Sequence, residues 1–177
     1  MLAVAVIVFR EVLEAALIVS IVMAASVGVA GRTVWVAVGI GAGVFGAGLV
    51  AIFAAGIADA FQGSGQEILN ASVLLLAVCM LGWHNLWMAR HGRQMADEAK
   101  DFSRQVAAGS RPLAALALIA GVAVLREGSE IVLFVYSVAA LSHDSAIAML
   151  AGGLVGLAGG VVVGIVLYLG LLRIPVH

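Results

Sequence analysis

Residues 9–19 read FREVLEAALIV. The stretch sits inside an apolar run long enough to cross a bilayer, which takes roughly 20 residues, yet it carries Arg10, Glu11 and Glu14. An ionised side chain at the centre of a span costs about 2.5–3.5 kcal/mol on insertion scales. Three such groups in one helix therefore need partners, and the rest of the sequence has to supply them.

The wider composition agrees that the run is a membrane span. Of 177 residues, 64% are hydrophobic and 11% are charged, and mean hydropathy is +1.19. A soluble domain is roughly 45–50% apolar and about 25% charged. The chain reads as one compact all-α integral membrane bundle over residues 1–177. A net charge of −1 gives no reason to expect a nucleic-acid partner. The single cysteine, Cys79, cannot form an internal disulfide and reads as a small buried hydrophobe. No basic residue precedes the first apolar run and charges interrupt its centre, so it reads as a permanent span and not as a signal peptide.

Five spans are expected, at about Leu2–Val29, Thr33–Ala58, Gln66–Ala89, Pro112–Leu141 and Ala146–Leu172. Lys and Arg favour the cytoplasmic side. Arg90, Arg93, Lys100, Arg104 and Arg111 fall in the long third link, Arg32 in the first link and Arg173 in the tail, while the second and fourth links hold none. The N-terminus is thus expected outside and the C-terminus in the cytoplasm. Residues 90–111 form the cytoplasmic link. Met95, Ala99, Phe102 and Val106 recur there at helical spacing, which fits a helix on the inner membrane surface or a solvated loop.

The opening motif occurs twice. Residues 124–134 read VLREGSEIVLF, and Arg126, Glu127 and Glu130 repeat the spacing of Arg10, Glu11 and Glu14. Each motif helix is followed by a glycine-studded span. The two motif helices lie three spans apart and cross the membrane in opposite senses, the signature of an inverted repeat with its site near the midplane. Residues 1–89 form the first repeat and 112–177 the second, which lacks a partner for the third span.

Residues three and four apart share a helix face. Glu11 and Glu14 therefore point one way, as do Glu127 and Glu130, and the arginines can pair as Arg10–Glu14 and Arg126–Glu130. That leaves Glu11 and Glu127 without a local counter-charge. Six charges facing lipid would cost on the order of 15–20 kcal/mol, more than the roughly 5–15 kcal/mol that holds a typical domain together. They must face each other, water or a cation. Four carboxylates and two guanidiniums sum to about −2, and oxygen donors suit a hard cation. Fe3+ fits by charge and could be released by protonation. A purely structural pair of salt bridges needs one acid per base, and each motif has a surplus acid.

These motifs resemble the high-affinity iron permeases, the fungal oxidase-coupled and bacterial EfeU-type proteins, whose motif is usually R-E-G-L-E. Here it stands as R-E-V-L-E and R-E-G-S-E; GQEILN and WHNLWM also resemble family segments. The resemblance implies Fe3+ import across a bacterial inner membrane, with Glu11, Glu14, Glu127 and Glu130 as metal ligands and Arg10 and Arg126 as supporting ion pairs. It implies no enzymatic activity and no prosthetic group, iron being the transported ion. Family members act beside an oxidase or a periplasmic iron-delivery protein. They also continue for about two more spans, so the chain resembles a member shortened at its C-terminus, completed by a second copy or an additional subunit. Asn70 stands where the family often has an acid.

Other residues have weaker claims. Asp59, Gln62, Gln66 and Glu67 flank the outer link and could collect cations at the mouth, Glu67 with support from the resemblance; a solvated loop is the plain alternative. His84 reads as a ligand, a proton relay or a hydrogen-bonded interfacial histidine. His91, Asp97, Glu98 and Asp101 could receive ions on the inner side, with a solvated helix face as the plainer reading. Trp83 and Trp87 suit the inner aromatic belt. Met80 and Met88 form no soft-metal ladder. Gly152, Gly156, Gly160 and Gly164 make a small-residue stripe for close helix contact, either against a motif helix or against a second copy. The rival functions are transport of another cation such as Mn2+ or Pb2+, a proton-coupled carrier, a structural subunit, and a membrane-embedded carboxylate metalloenzyme. Metalloenzymes of that kind add histidines to their carboxylate helices, and neither motif helix has one.

Overall fold

The computed structural model describes residues 1–60, 65–142 and 145–173, all of it helix and short links. Five helices follow in order: α1 (Leu2–Ala25), α2 (Arg32–Ala60), α3 (Gln66–Ala107), α4 (Ala114–Leu141) and α5 (Ala146–Arg173). A helix satisfies its own backbone donors and acceptors, which is what an apolar segment needs in lipid. By length and composition α2, residues Glu67–Met88 of α3, and residues Ala146–Leu172 of α5 can cross a membrane. α1 and α4 are comparably long, but each carries a charged motif.

The links are short and glycine ends them. α1 stops at Ala25, where the Ser26 hydroxyl donates to Val22 O and Arg32 Nη1 donates to Met23 O. Gly28 and Gly31 then adopt φ of +90° and +80°, a region closed to most side chains. Gly109, at φ +75°, ends α3 in the same way.

The long polar link differs from expectation. α3 runs unbroken for 42 residues, about 63 Å at 1.5 Å per residue, so the segment from 90 onward continues the same helix. Between Trp87 and Gly109 no proline interrupts a run of Ala, Arg, Gln, Glu and Lys, all good helix formers. The stripe expected at a membrane surface instead packs inward: Ala99 and Val106 join Val22, Val36, Leu116 and Ala120 in one buried cluster, with Phe102 against it.

The largest interfaces are α1 with α5 and α2 with α4, and α1 also crosses α4. Glycines make both close. A methyl added at Gly160 would stand 2.6 Å from Val12 Cγ1, and one at Gly156 would strike Ala5 O. One at Gly43 would stand 2.7 Å from Gly121 O, and one at Gly39 would strike Ala117 O. The α5 glycine stripe is therefore spent on α1 and is not a face for a second copy. Each motif helix packs on the glycine helix of the opposite half, which places the two motifs in the middle of the bundle. Cys79, expected to be buried, is exposed.

Candidate metal centre

The acids lie on the faces that turn inward. On α4 the buried residues are Leu116, Ala120, Glu127, Glu130, Phe134 and Ser137, one helical stripe with two glutamates in it. On α1, Val4, Val8 and Glu11 form the matching stripe. Crossing of the two stripes brings Glu11, Glu127 and Glu130 together, and α3 adds His84. Each of these four residues offers a ligand atom, all within 4.8 Å of one another, and all four are buried.

Both expected i, i+4 pairs form. Arg10 Nε donates to Glu14 Oε1 at 3.0 Å, and Arg126 Nε donates to Glu130 Oε1 at 3.4 Å. The expectation that Glu11 and Glu127 lack any nearby counter-charge is corrected. Arg10 Nη1 lies 3.5 Å from Glu11 Oε1 and Arg126 Nε 3.6 Å from Glu127 Oε1. The guanidinium of each motif reaches back along its own helix as well as forward. These contacts do not satisfy the acids: both oxygens of Glu11, Oε2 of Glu127 and Oε2 of Glu130 are buried without a hydrogen-bond partner. Arg10 Nη2 is a buried donor in the same state. Orphaned carboxylate oxygens converging from two helices are costly as they stand, and a cation or protonation would relieve that cost.

Glu14 stands apart from the other motif acids. It is one-fifth exposed (21%) where Glu11 is fully buried, and its second oxygen meets His84 Nε2 at 2.9 Å. On its other side the His84 ring places Nδ1 3.1 Å from Glu130 Oε2 and 3.1 Å from Arg126 Nη2. The imidazole thus joins the α1 motif to the α4 motif. The sequence did carry a signal for this. His84, like Asn70, Ser72 and Asn85, is a polar group in the apolar window of α3, but its register against α1 and α4 is invisible in a linear pattern.

Two cavities flank the cluster. One, of about 660 Å³, has Glu11 and Glu127 at its edge and otherwise mostly apolar walls from α1, α2, α4 and α5. The other, of about 530 Å³, is bounded by Cys79, Met80, Trp83, His84, Trp87, Arg126 and Glu130. Trp87, expected in an aromatic belt, lies under the Arg126 guanidinium at 5.4 Å and stacks on His91 at 5.2 Å. Asp59 and Glu67 are exposed, near the C-terminal end of α2 and in the first turn of α3, and neither joins the cluster. Gln62 lies outside the described residues, as does the side chain of Gln66.

The sequence profile of the iron permease FTR1 family matches residues 1–176. The chain belongs to that family. Among curated FTR1-type relatives, a ferrous iron permease EfeU of Escherichia coli O6:H1 is 34% identical over 176 residues, covering 95% of this chain and 61% of the relative. An EfeU of Escherichia coli K12, whose name carries the word inactive, matches with the same identity and coverage. A ferrous iron permease EfeU of Shigella sonnei is 34% identical over 174 residues, again 95% and 61%. The chain therefore spans about 61% of the length of these relatives. No solved structure matches it.

Proposed function

We propose that this chain carries Fe3+ inward across a bacterial inner membrane, binding it among Glu11, Glu14, Glu127 and Glu130 with Arg10 and Arg126 as supporting cations. The observation that carries the reading is the set of buried, unpartnered oxygens on Glu11, Glu127 and Glu130, contributed by both copies of R-E-x-x-E. Carboxylate oxygens are hard donors, and the six motif charges sum to about −2 before an ion arrives. A second reading, Fe2+, is favoured by that same sum, which a divalent ion would cancel, and by the ferrous iron permease names of the relatives.

All five helices span in this proposal, with the N-terminus outside and residues 90–111 in the cytoplasm. The exchanged packing of α1 on α5 and α2 on α4 supports an inverted repeat, because exchanging the halves turns one pair into the other. Asp59 and Glu67 belong to the outer mouth, and an oxidase or a periplasmic iron-delivery protein hands over the ion. A second copy or an additional subunit covers the open apolar cavity, since lipid against the orphaned Glu11 and Glu127 would be expensive. The single imidazole in the cluster argues for one transported ion over a catalytic pair of metals, which uses two Glu-x-x-His helices.

The test is radioactive iron uptake into proteoliposomes, with iron offered either as ascorbate-reduced Fe2+ or as citrate-bound Fe3+. Glu11→Gln and Glu127→Gln are expected to abolish saturable uptake while the protein still folds. Saturable uptake in both variants would overturn the proposal. Uptake of the reduced ion alone would select the second reading.

A further inference from the structure

We infer that His84 is a direct ligand of the transported ion and the residue that biases the site toward transition metals, and that Glu14 acts through His84 and not as a ligand itself. The inference rests on the proposed iron site and refines its donor set to Glu11, Glu127, Glu130 and one imidazole nitrogen.

The Arg126 contact selects one tautomer of His84. Arg126 Nη2 has only hydrogens to offer, and it lies 3.1 Å from His84 Nδ1. Nδ1 therefore accepts from Arg126, and Nε2 carries the proton that it donates to Glu14 Oε2 at 2.9 Å. A carboxylate on the far nitrogen of a ligating histidine is the usual outer support of a metal site: it holds the ring's orientation and raises its basicity. Glu14 is held in turn by Arg10 Nε at 3.0 Å, so the chain Arg10–Glu14–His84 holds the ring beside the orphaned acids.

The geometry suits coordination better than a structural contact. In this tautomer Nδ1 stands 3.1 Å from Glu130 Oε2, acceptor beside acceptor, and Glu130 Oε2 has no hydrogen-bond partner. Two cis donors each about 2.1 Å from one ion stand about 3.0 Å apart. The pair is thus spaced as neighbouring ligands and repels unless a cation lies between. In the structure the Arg126 guanidinium lies against Nδ1, and an ion coordinated there would take its place. An all-oxygen cage would also accept Mg2+ and Ca2+, whereas imidazole nitrogen favours iron and its first-row neighbours.

The experiment uses the full chain in nanodiscs, in a background where His91, His143 and His177 are glutamine. Anaerobic Fe2+ is bound, its affinity is measured by equilibrium dialysis, and iron K-edge absorption is recorded. Outer-shell scattering from one imidazole per iron is expected, and it should vanish in His84→Gln with Fe2+ affinity falling about 10–100-fold and Mg2+ affinity unchanged. Glu14→Ala should weaken Fe2+ by a similar factor and Glu14→Gln should largely rescue it, because an amide oxygen still accepts the Nε2 proton. Equal losses in Glu14→Ala and Glu14→Gln would make Glu14 a ligand and overturn its assigned role. Iron that binds in a Glu11- and Glu127-dependent manner without imidazole scattering would overturn the inference and leave the carboxylate site standing. No iron binding in the parent protein would overturn both.

Discussion

Replacing Gly160 with alanine tests how tightly the bundle sets the metal centre. The added methyl would stand 2.6 Å from Val12 Cγ1, 2.8 Å from Val12 Cβ and 3.2 Å from Phe9 O. Carbon atoms rest at about 3.5–4.0 Å, so the two helices must part by about 1 Å at this point. A gap of that size forfeits a quarter to a half of each contact, itself worth about 0.1–0.2 kcal/mol. Over roughly thirty atom pairs near the crossing the loss is about 1–2 kcal/mol, inside the roughly 1–3 kcal/mol that overpacking costs in protein cores. Gly153 is the control, since a methyl there meets nothing within 4 Å. Alanine at 153 is expected to be neutral or to stabilise by up to about 1 kcal/mol through helix propensity. Val12 and Phe9 flank the turn that carries Glu11, so Gly160→Ala also displaces that carboxylate beyond the about 0.5 Å a binding constellation tolerates. Thermal unfolding in nanodiscs and dialysis with radioactive iron should show lower stability and at least about tenfold weaker binding for Gly160→Ala alone. Equal stability and affinity in the two variants would refute the packing argument and the claim that α5 sets the position of Glu11.

Arg10→Gln should destabilise by about 1.5–3 kcal/mol, less than the 3–5 kcal/mol of a fully buried pair because Arg10 is 28% exposed. Adding Glu14→Gln should restore part of the loss in the same melting assay, and a wild-type melting curve for the single variant would discard the pairing. In a Cys79→Ser background, Ser142→Cys should react with an impermeant thiol reagent from outside and Ala96→Cys only after permeabilisation; the reverse pattern inverts the proposed orientation. Glu67→Gln, on an exposed first turn, should slow uptake a few-fold at low salt without altering iron affinity, as expected for an electrostatic collector. Cross-linking in native membranes should trap this chain with a second copy or another subunit, whereas a strictly monomeric chain that transports iron would remove the need for a cover over the apolar cavity.

The parts of this architecture that were legible in the sequence are those governed by local periodicity and by energetic necessity. The charge cost of Arg10, Glu11 and Glu14 in an apolar run forces a partner, and the only matching surplus is Arg126, Glu127 and Glu130. Their meeting follows almost without tertiary information. The glycine spacing at 152, 156, 160 and 164 likewise declares a close helix contact, though only the fold shows that α1 takes it. What stayed hidden depends on the register between helices distant in sequence. The stripe Ala99–Phe102–Val106 satisfies a membrane surface and a protein neighbour equally well, because both are apolar. The continuous α3 decides for the neighbour by bringing that stripe beside Val22 and Leu116. His84 is the sharper case. Counting acids against bases showed a deficit at the motifs but not where its relief would come from, since hydrogen-bonding partners 70 residues from Glu14 and 42 from Arg126 leave no periodic trace. A surplus of buried acid in two symmetric motifs is a reason to search the remaining spans for one polar side chain facing inward. In this chain α3 supplies it. The cluster then takes one carboxylate from α1, two from α4 and an imidazole from α3, so an ion bound there would meet a different donor on the α3 side than on the side of the apolar cavity.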